Sequence, residues 1–128
     1  MSTFAVENYE PVYGEKLIFY KLSVDNIFLI DEFENKLTIR ERKWFTNILA
    51  YMEDMANYDR LLPDTKFRNI KDLDRDDVFE FKKEQLRIYV LKQTPNVIII
   101  LGGYKTKQKK DITKISRIIN ELNLEELL

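Results

Sequence analysis

A chain of 128 residues with no cysteine, no histidine, 21 basic and 22 acidic side chains is long enough for one independent core. It is closed to disulfides, thiolate nucleophiles and cysteine-based metal sites, and any general acid or base in it has to be a perturbed Glu, Asp, Lys or Tyr. Residues 1–77 hold 11 basic against 16 acidic side chains while residues 78–128 hold 10 against 6, so an anion-binding face on an acidic body is expected.

Residues 1–16 carry acids where a secretory signal needs cations, and no apolar run approaches about 18 residues. A soluble, cytoplasmic protein without a membrane partner is expected. Residues 1–15 read as an irregular N-terminal extension or edge segment, because Pro11 and Gly14 interrupt any helix. The short apolar and aromatic run 16–22 reads as a first buried strand. Asp25 is then positioned to cap a helix over 26–36, in which Ile30, Phe33 and Leu37 recur at helical spacing. Thr38 and Glu41 form a capping box for a second helix. Its stripe of Phe45, Ile48, Leu49, Met52, Met55 and Ala56 runs to about Tyr58 and requires a buried face.

Residues 61–77 have no clean period and read as a loop that delivers Lys66, Arg68 and Lys71 to the surface. Three strands in meander order follow, over 78–82, 86–92 and 97–101, the last two turning at Thr94, Pro95 and Asn96. A four-residue hairpin loop over 83–86 pairs Lys82 with Arg87 and Glu80 with Tyr89. That register gathers Phe79, Phe81, Ile88 and Val90 on one face and leaves the polar residues on the other. The last helix, about 108–122, puts Ile112, Ile115, Ile119 and Leu122 on one side and Lys110, Lys114 and Arg117 on another. The acidic tail 121–128 is expected to fray. Between Tyr104 and Arg117 six cations face a single acid, Asp111, so a polyanion is the first ligand to consider.

This order of elements resembles the RelE/HigB superfamily of toxins from bacterial toxin-antitoxin systems, and within it the phage-related HigB-like branch. The resemblance covers about residues 16–121 and is strongest over 79–112. The branch typically has E-L-R on one strand, an arginine opening the next, then H-G-F and a lysine-rich run ending in proline. This chain carries Glu80, Phe81 and Lys82, then Arg87, then Gly102, Gly103 and Tyr104, and then Lys105, Lys107, Lys109, Lys110 and Asp111. Gly102 replaces the histidine of many relatives and Asp111 stands near their proline, which excludes a histidine-assisted mechanism.

The resemblance implies an α+β fold, a RelE-like antiparallel sheet of about four strands with two consecutive N-terminal helices on one face and a C-terminal helix, all in a single domain over 1–128. It implies an endoribonuclease that cleaves mRNA on the ribosome with no metal or other cofactor, neutralised by a small cognate antitoxin of helix-turn-helix type. Such a metal-free reaction needs a base for the ribose 2′-hydroxyl, an acid for the leaving oxygen and cations for the extra charge. Without histidine, closely spaced lysines are the available means, since mutual repulsion lowers the pKa of one of them. The catalytic candidates are Arg87, Lys105, Lys107, Lys109, Tyr104 and Glu80. The RNA-binding candidates are Lys66, Lys71, Lys82, Tyr89, Lys110, Lys114 and Arg117. Plainer roles stand beside these: Arg87 paired with Glu80 across the hairpin, Tyr104 packed at a strand end, and the lysine run as a solvated helix start. A non-catalytic module of the same fold that binds a protein target or RNA, or a degenerate phage-derived protein, is the alternative to the enzyme.

Overall fold

The computed structural model describes residues 1–128. In chain order it contains β1 (Phe4–Asn8), β2 (Ile18–Val24), β3 (Ile27–Phe28), α1 (Leu29–Asn35), α2 (Ile39–Tyr58), β4 (Phe67–Asn69), β5 (Val78–Lys83), β6 (Leu86–Gln93), β7 (Asn96–Tyr104), α3 (Gln108–Glu121) and α4 (Leu124–Leu127). One sheet runs in the order β1-β2-β7-β6-β5-β4, with β3 folded back on β2. β2 and β7 pair in parallel, and every other pair is antiparallel. No helix is long and apolar enough to cross a membrane.

The α+β class holds, but the expected antiparallel sheet of about four strands does not. The sheet has seven strands and is mixed, and its four helices are divided between the two halves of the chain. Three short elements account for the extra width and for most boundary differences. Residues 4–8, expected to be irregular or an edge segment, pair along β2 as an edge strand. Inside the expected loop, Phe67–Asn69 pairs with β5 and Lys71–Leu73 makes a 3-10 turn. Asp25 does not cap a helix: Asp25 and Asn26 take φ of 51° and 68° and turn β2 into β3, so α1 starts only at Leu29. The tail does not fray either, since α4 lays Leu124 and Leu127 against the second core.

Both faces of the sheet are covered. Phe19, Phe81, Ile88, Val90, Val97 and Ile99 meet α1 and α2 on one face, where Ile30, Phe45, Ile48 and Met52 are buried. The α2 stripe therefore serves as core, and its capping box is formed, with Thr38 N–H donating to Glu41 Oε1 at 2.9 Å and Glu41 N–H to Thr38 Oγ1 at 3.2 Å. On the other face Val78, Leu91, Ile98 and Ile100 meet Ile115, Ile118 and Ile119 of α3. The face that carries the polar residues of the β5/β6 hairpin is thus roofed by α3.

The β5/β6 register is the expected one, with Lys82 opposite Arg87 and Glu80 opposite Tyr89. The loop is tighter than four residues, since Lys83 still pairs with Leu86 and Glu84 takes a φ of 52°. β7 carries a bulge: Tyr89 faces Leu101 while Val90 faces Ile99, leaving Ile100 as the extra residue. Beyond it the alternation of β7 is shifted by one.

Candidate functional site

Where α3 begins, the second face of the sheet changes from apolar to polar. Glu80 on β5 is 1% exposed and Arg87 on β6 is 5% exposed, two charges buried side by side. Glu80 survives there because its oxygens are used. Oε2 accepts from Arg68 Nε at 3.0 Å and Nη2 at 2.6 Å, and Oε1 accepts from Gln108 Nε2 at 2.7 Å. Arg87 Nε lies 3.6 Å from the same Oε1. One carboxylate ties together β4, β5, β6 and the first turn of α3.

Arg87, a catalytic candidate in the sequence, takes the plainer of its two expected roles beside Glu80. Its Nη1 donates to the carbonyls of Glu84 and Leu86, both at 2.8 Å, so the guanidinium braces the β5/β6 turn. Tyr89 shares that face but is fully buried, its hydroxyl has no hydrogen-bond partner, and burial lifts the phenol well above its ordinary range. Neither residue meets solvent as an RNA-binding group would. Tyr104 lies on the opposite face, where its ring packs 5.5 Å from Phe33 and its hydroxyl donates to Glu41 Oε1 at 3.2 Å. The bulge at Ile100 puts it there. Lys66 also leaves the group, its ammonium sitting 5.0 Å over the Tyr51 ring of α2.

Lys82 gains importance. It follows Glu80 by one pleat on the same face, and its Nζ reaches the Asp64 carbonyl at 3.4 Å. Burial, then the neighbouring charge of Arg68, and after it Arg87 and Lys105, hold its ammonium below the ordinary lysine range against the opposing pull of Glu80. Asp64 also lines a cleft of about 470 Å³ between the β4 segment and α3, whose charged lining is Arg68, Lys71 and Lys109 against Glu80, Asp64 and Asp72, with Gln108 beside them. Lys114 and Lys110 of α3 and Lys107 just before it act electrostatically on Asp111, and Arg117 lies further along α3 by Asp72 and Leu73. None of these lysines, nor Arg117, is in an ion pair. A wider depression of about 710 Å³ beyond Lys71 is walled by Asp74, Asp76 and Asp77 together with Lys71 and Arg75, the last paired with Asp77.

Asp111 closes the arrangement. Its Oδ2 lies against Gly103 so closely that a Cβ there would overlap it, so a larger residue at 103 would require the Asp111 side chain to turn away. That oxygen is buried without a partner, and burial pushes the carboxyl above the usual carboxylate range despite Lys114, Lys110 and Lys107. No group of three or more His, Cys, Asp or Glu is arranged to hold a metal ion.

Arg68 and Gln108 are the residues that sequence reasoning did not place in the site. The signal for Arg68 is its opposition to Glu80 across β4 and β5, hidden because a three-residue strand leaves no alternation to read. Comparison with protein-family models, with curated proteins and with solved structures finds no match.

Proposed function

We propose that this protein is an endoribonuclease that cleaves mRNA, the toxin of a toxin-antitoxin pair of RelE/HigB kind, acting in the cytoplasm on ribosome-bound message. The observation that carries the reading is Lys82, whose basicity is lowered by burial and by Arg68, Arg87 and Lys105 and whose Nζ lies 3.4 Å from the carbonyl of Asp64, a residue of the cleft wall. A neutral Lys82 Nζ takes the proton of a ribose 2′-hydroxyl, and the freed oxygen attacks the adjacent phosphorus. The bond from phosphorus to the 5′-oxygen breaks, and that oxygen takes a proton from a second ammonium, for which Lys105 is the neighbour. The products are a 2′,3′-cyclic phosphate and a 5′-hydroxyl. Cations held in place offset the additional negative charge on the phosphorane. The same cations favour an acidic antitoxin segment as the masking partner.

The test is cleavage of a defined single-stranded RNA by the purified protein, with the product ends identified. The expected result is 5′-hydroxyl ends and a rate that rises with pH as Lys82 loses its proton, levelling below the ordinary lysine range. Lys82→Ala should lower the rate by about 10²-fold or more and flatten that rise. RNA that is bound but left intact would replace the enzyme with a non-catalytic RNA-binding module. RNA that is neither bound nor cut would leave a protein target.

A further inference from the structure

We infer that Arg68, and not Arg87, is the guanidinium that receives the phosphodiester of a single-stranded RNA, and that Glu80 is the positioning residue that aims it. This rests on the ribonucleic-acid reading above and assigns its phosphate subsite. Arg68 is fixed along one edge and open along the other. Its Nε and Nη2 both donate to Glu80 Oε2, at 3.0 and 2.6 Å, while Nη1 has no protein partner and the side chain is 49% exposed. A guanidinium held in this way keeps its planar donor fork pointed at the cleft and loses little freedom when an anion arrives.

The pairing of charges selects the same residue. Two arginines share the Glu80 carboxylate, and around them the cleft sets Arg68, Lys71 and Lys109 against Glu80, Asp64 and Asp72, so only a group with donors free of a protein partner can receive an anion. Arg87 cannot receive one, because its side chain is 7% exposed and its Nη1 is spent on two carbonyls. The exposed outlet is Arg68. Lys71 and Lys109 flank it in the cleft, and Ile70 and Ile112 supply apolar surface for a ribose or base. The cleft, about 470 Å³, is of the size that holds small ligands. Glu80 itself does not touch the RNA, since both of its oxygens are taken by protein donors.

The experiment measures binding of a short single-stranded RNA made uncleavable by 2′-O-methyl groups, using fluorescence anisotropy across a salt series. Arg68→Ala is expected to weaken binding about ten-fold or more and to shallow the salt slope by about 0.7, one single-strand phosphate contact. Arg60→Ala, which removes the same charge from the Arg60–Asp54 pair outside the cleft, should change neither. Glu80→Gln is the discriminating variant. It removes a negative charge next to the cleft, so a purely electrostatic role for this region makes it bind more tightly, whereas loss of aim makes it bind more weakly. Circular dichroism on each variant confirms folding, and Arg68→Lys, expected to recover only part of the affinity, covers the case in which Glu80→Gln does not fold. Wild-type affinity in Arg68→Ala, or tighter binding by folded Glu80→Gln, overturns the assignment and leaves the ribonuclease reading standing. Failure of the wild-type protein to bind the RNA removes both.

Discussion

Asp111 carries the clearest cost in the molecule. One of its oxygens is buried without a partner, and its folded-state pKa is raised by burial. A raised carboxyl pKa means that the folded state binds more protons than the unfolded chain, so stability falls as pH rises from the usual carboxylate value through the raised one. Asp111→Asn removes the ionisation and should be more stable at pH 7 by about 1 kcal/mol, with a flatter dependence between acid and neutral pH. Urea melts of both proteins at two pH values check the sign. The same residue shows how far sequence reading reached. The six-to-one excess of cations around Asp111 was legible, and so was the shared face of Glu80, Lys82, Arg87 and Tyr89, because a strand pleat has a period of two. The burial of Arg87 and Tyr89 was not, because it depends on which element roofs that face. Tyr104 was misplaced for a different reason: a single inserted residue, Ile100, reverses the parity of everything after it.

Among the elements, those with a strong period or a cap were readable and the short ones were not. α2 announced itself by Thr38, Glu41 and its apolar stripe, and the β5/β6 hairpin by the one register that sorts phenylalanines from charges. β1, β4 and α4 contain five, three and four residues, too few to display a period. The hairpin register has a direct energetic consequence. Phe81 is fully buried beneath α2, with ring centroids 4.6 Å from Phe67 and 6.3 Å from Phe19. Phe81→Ala should therefore cost about 3–5 kcal/mol, visible as a lower urea midpoint with an unchanged slope. Had the register slipped by one residue, the change would fall on a solvated or polar position and cost little.

For the whole molecule, the near-zero net charge says less than its distribution. Lysines outside any ion pair line the cleft and α3, where Asp64 and Asp72 stand with them, while Asp74, Asp76 and Asp77 wall the neighbouring depression. RNA contacting about five of these cations should lose affinity with a slope near −3.5 in log–log salt plots, as measured by titration. Lys110→Ala should shallow that slope by about 0.7, whereas Lys66→Ala should leave it unchanged, because Lys66 lies over Tyr51. The strand order could not be read from the sequence, since nothing local in β2 or β7 specifies that they become parallel neighbours. That pairing also governs when the protein can exist. Ile18 waits for Asn96, and Lys21 for Ile99, so the middle of the sheet stays open until residues 96–99 have been synthesised. Such distant pairing makes folding slow, because the closure entropy is lost before any contact repays it. A nascent chain that has not yet emerged through residue 104 therefore lacks its β7 and its α3 roof, and the polar group around Glu80, which needs Gln108, assembles only after the rest of the sheet.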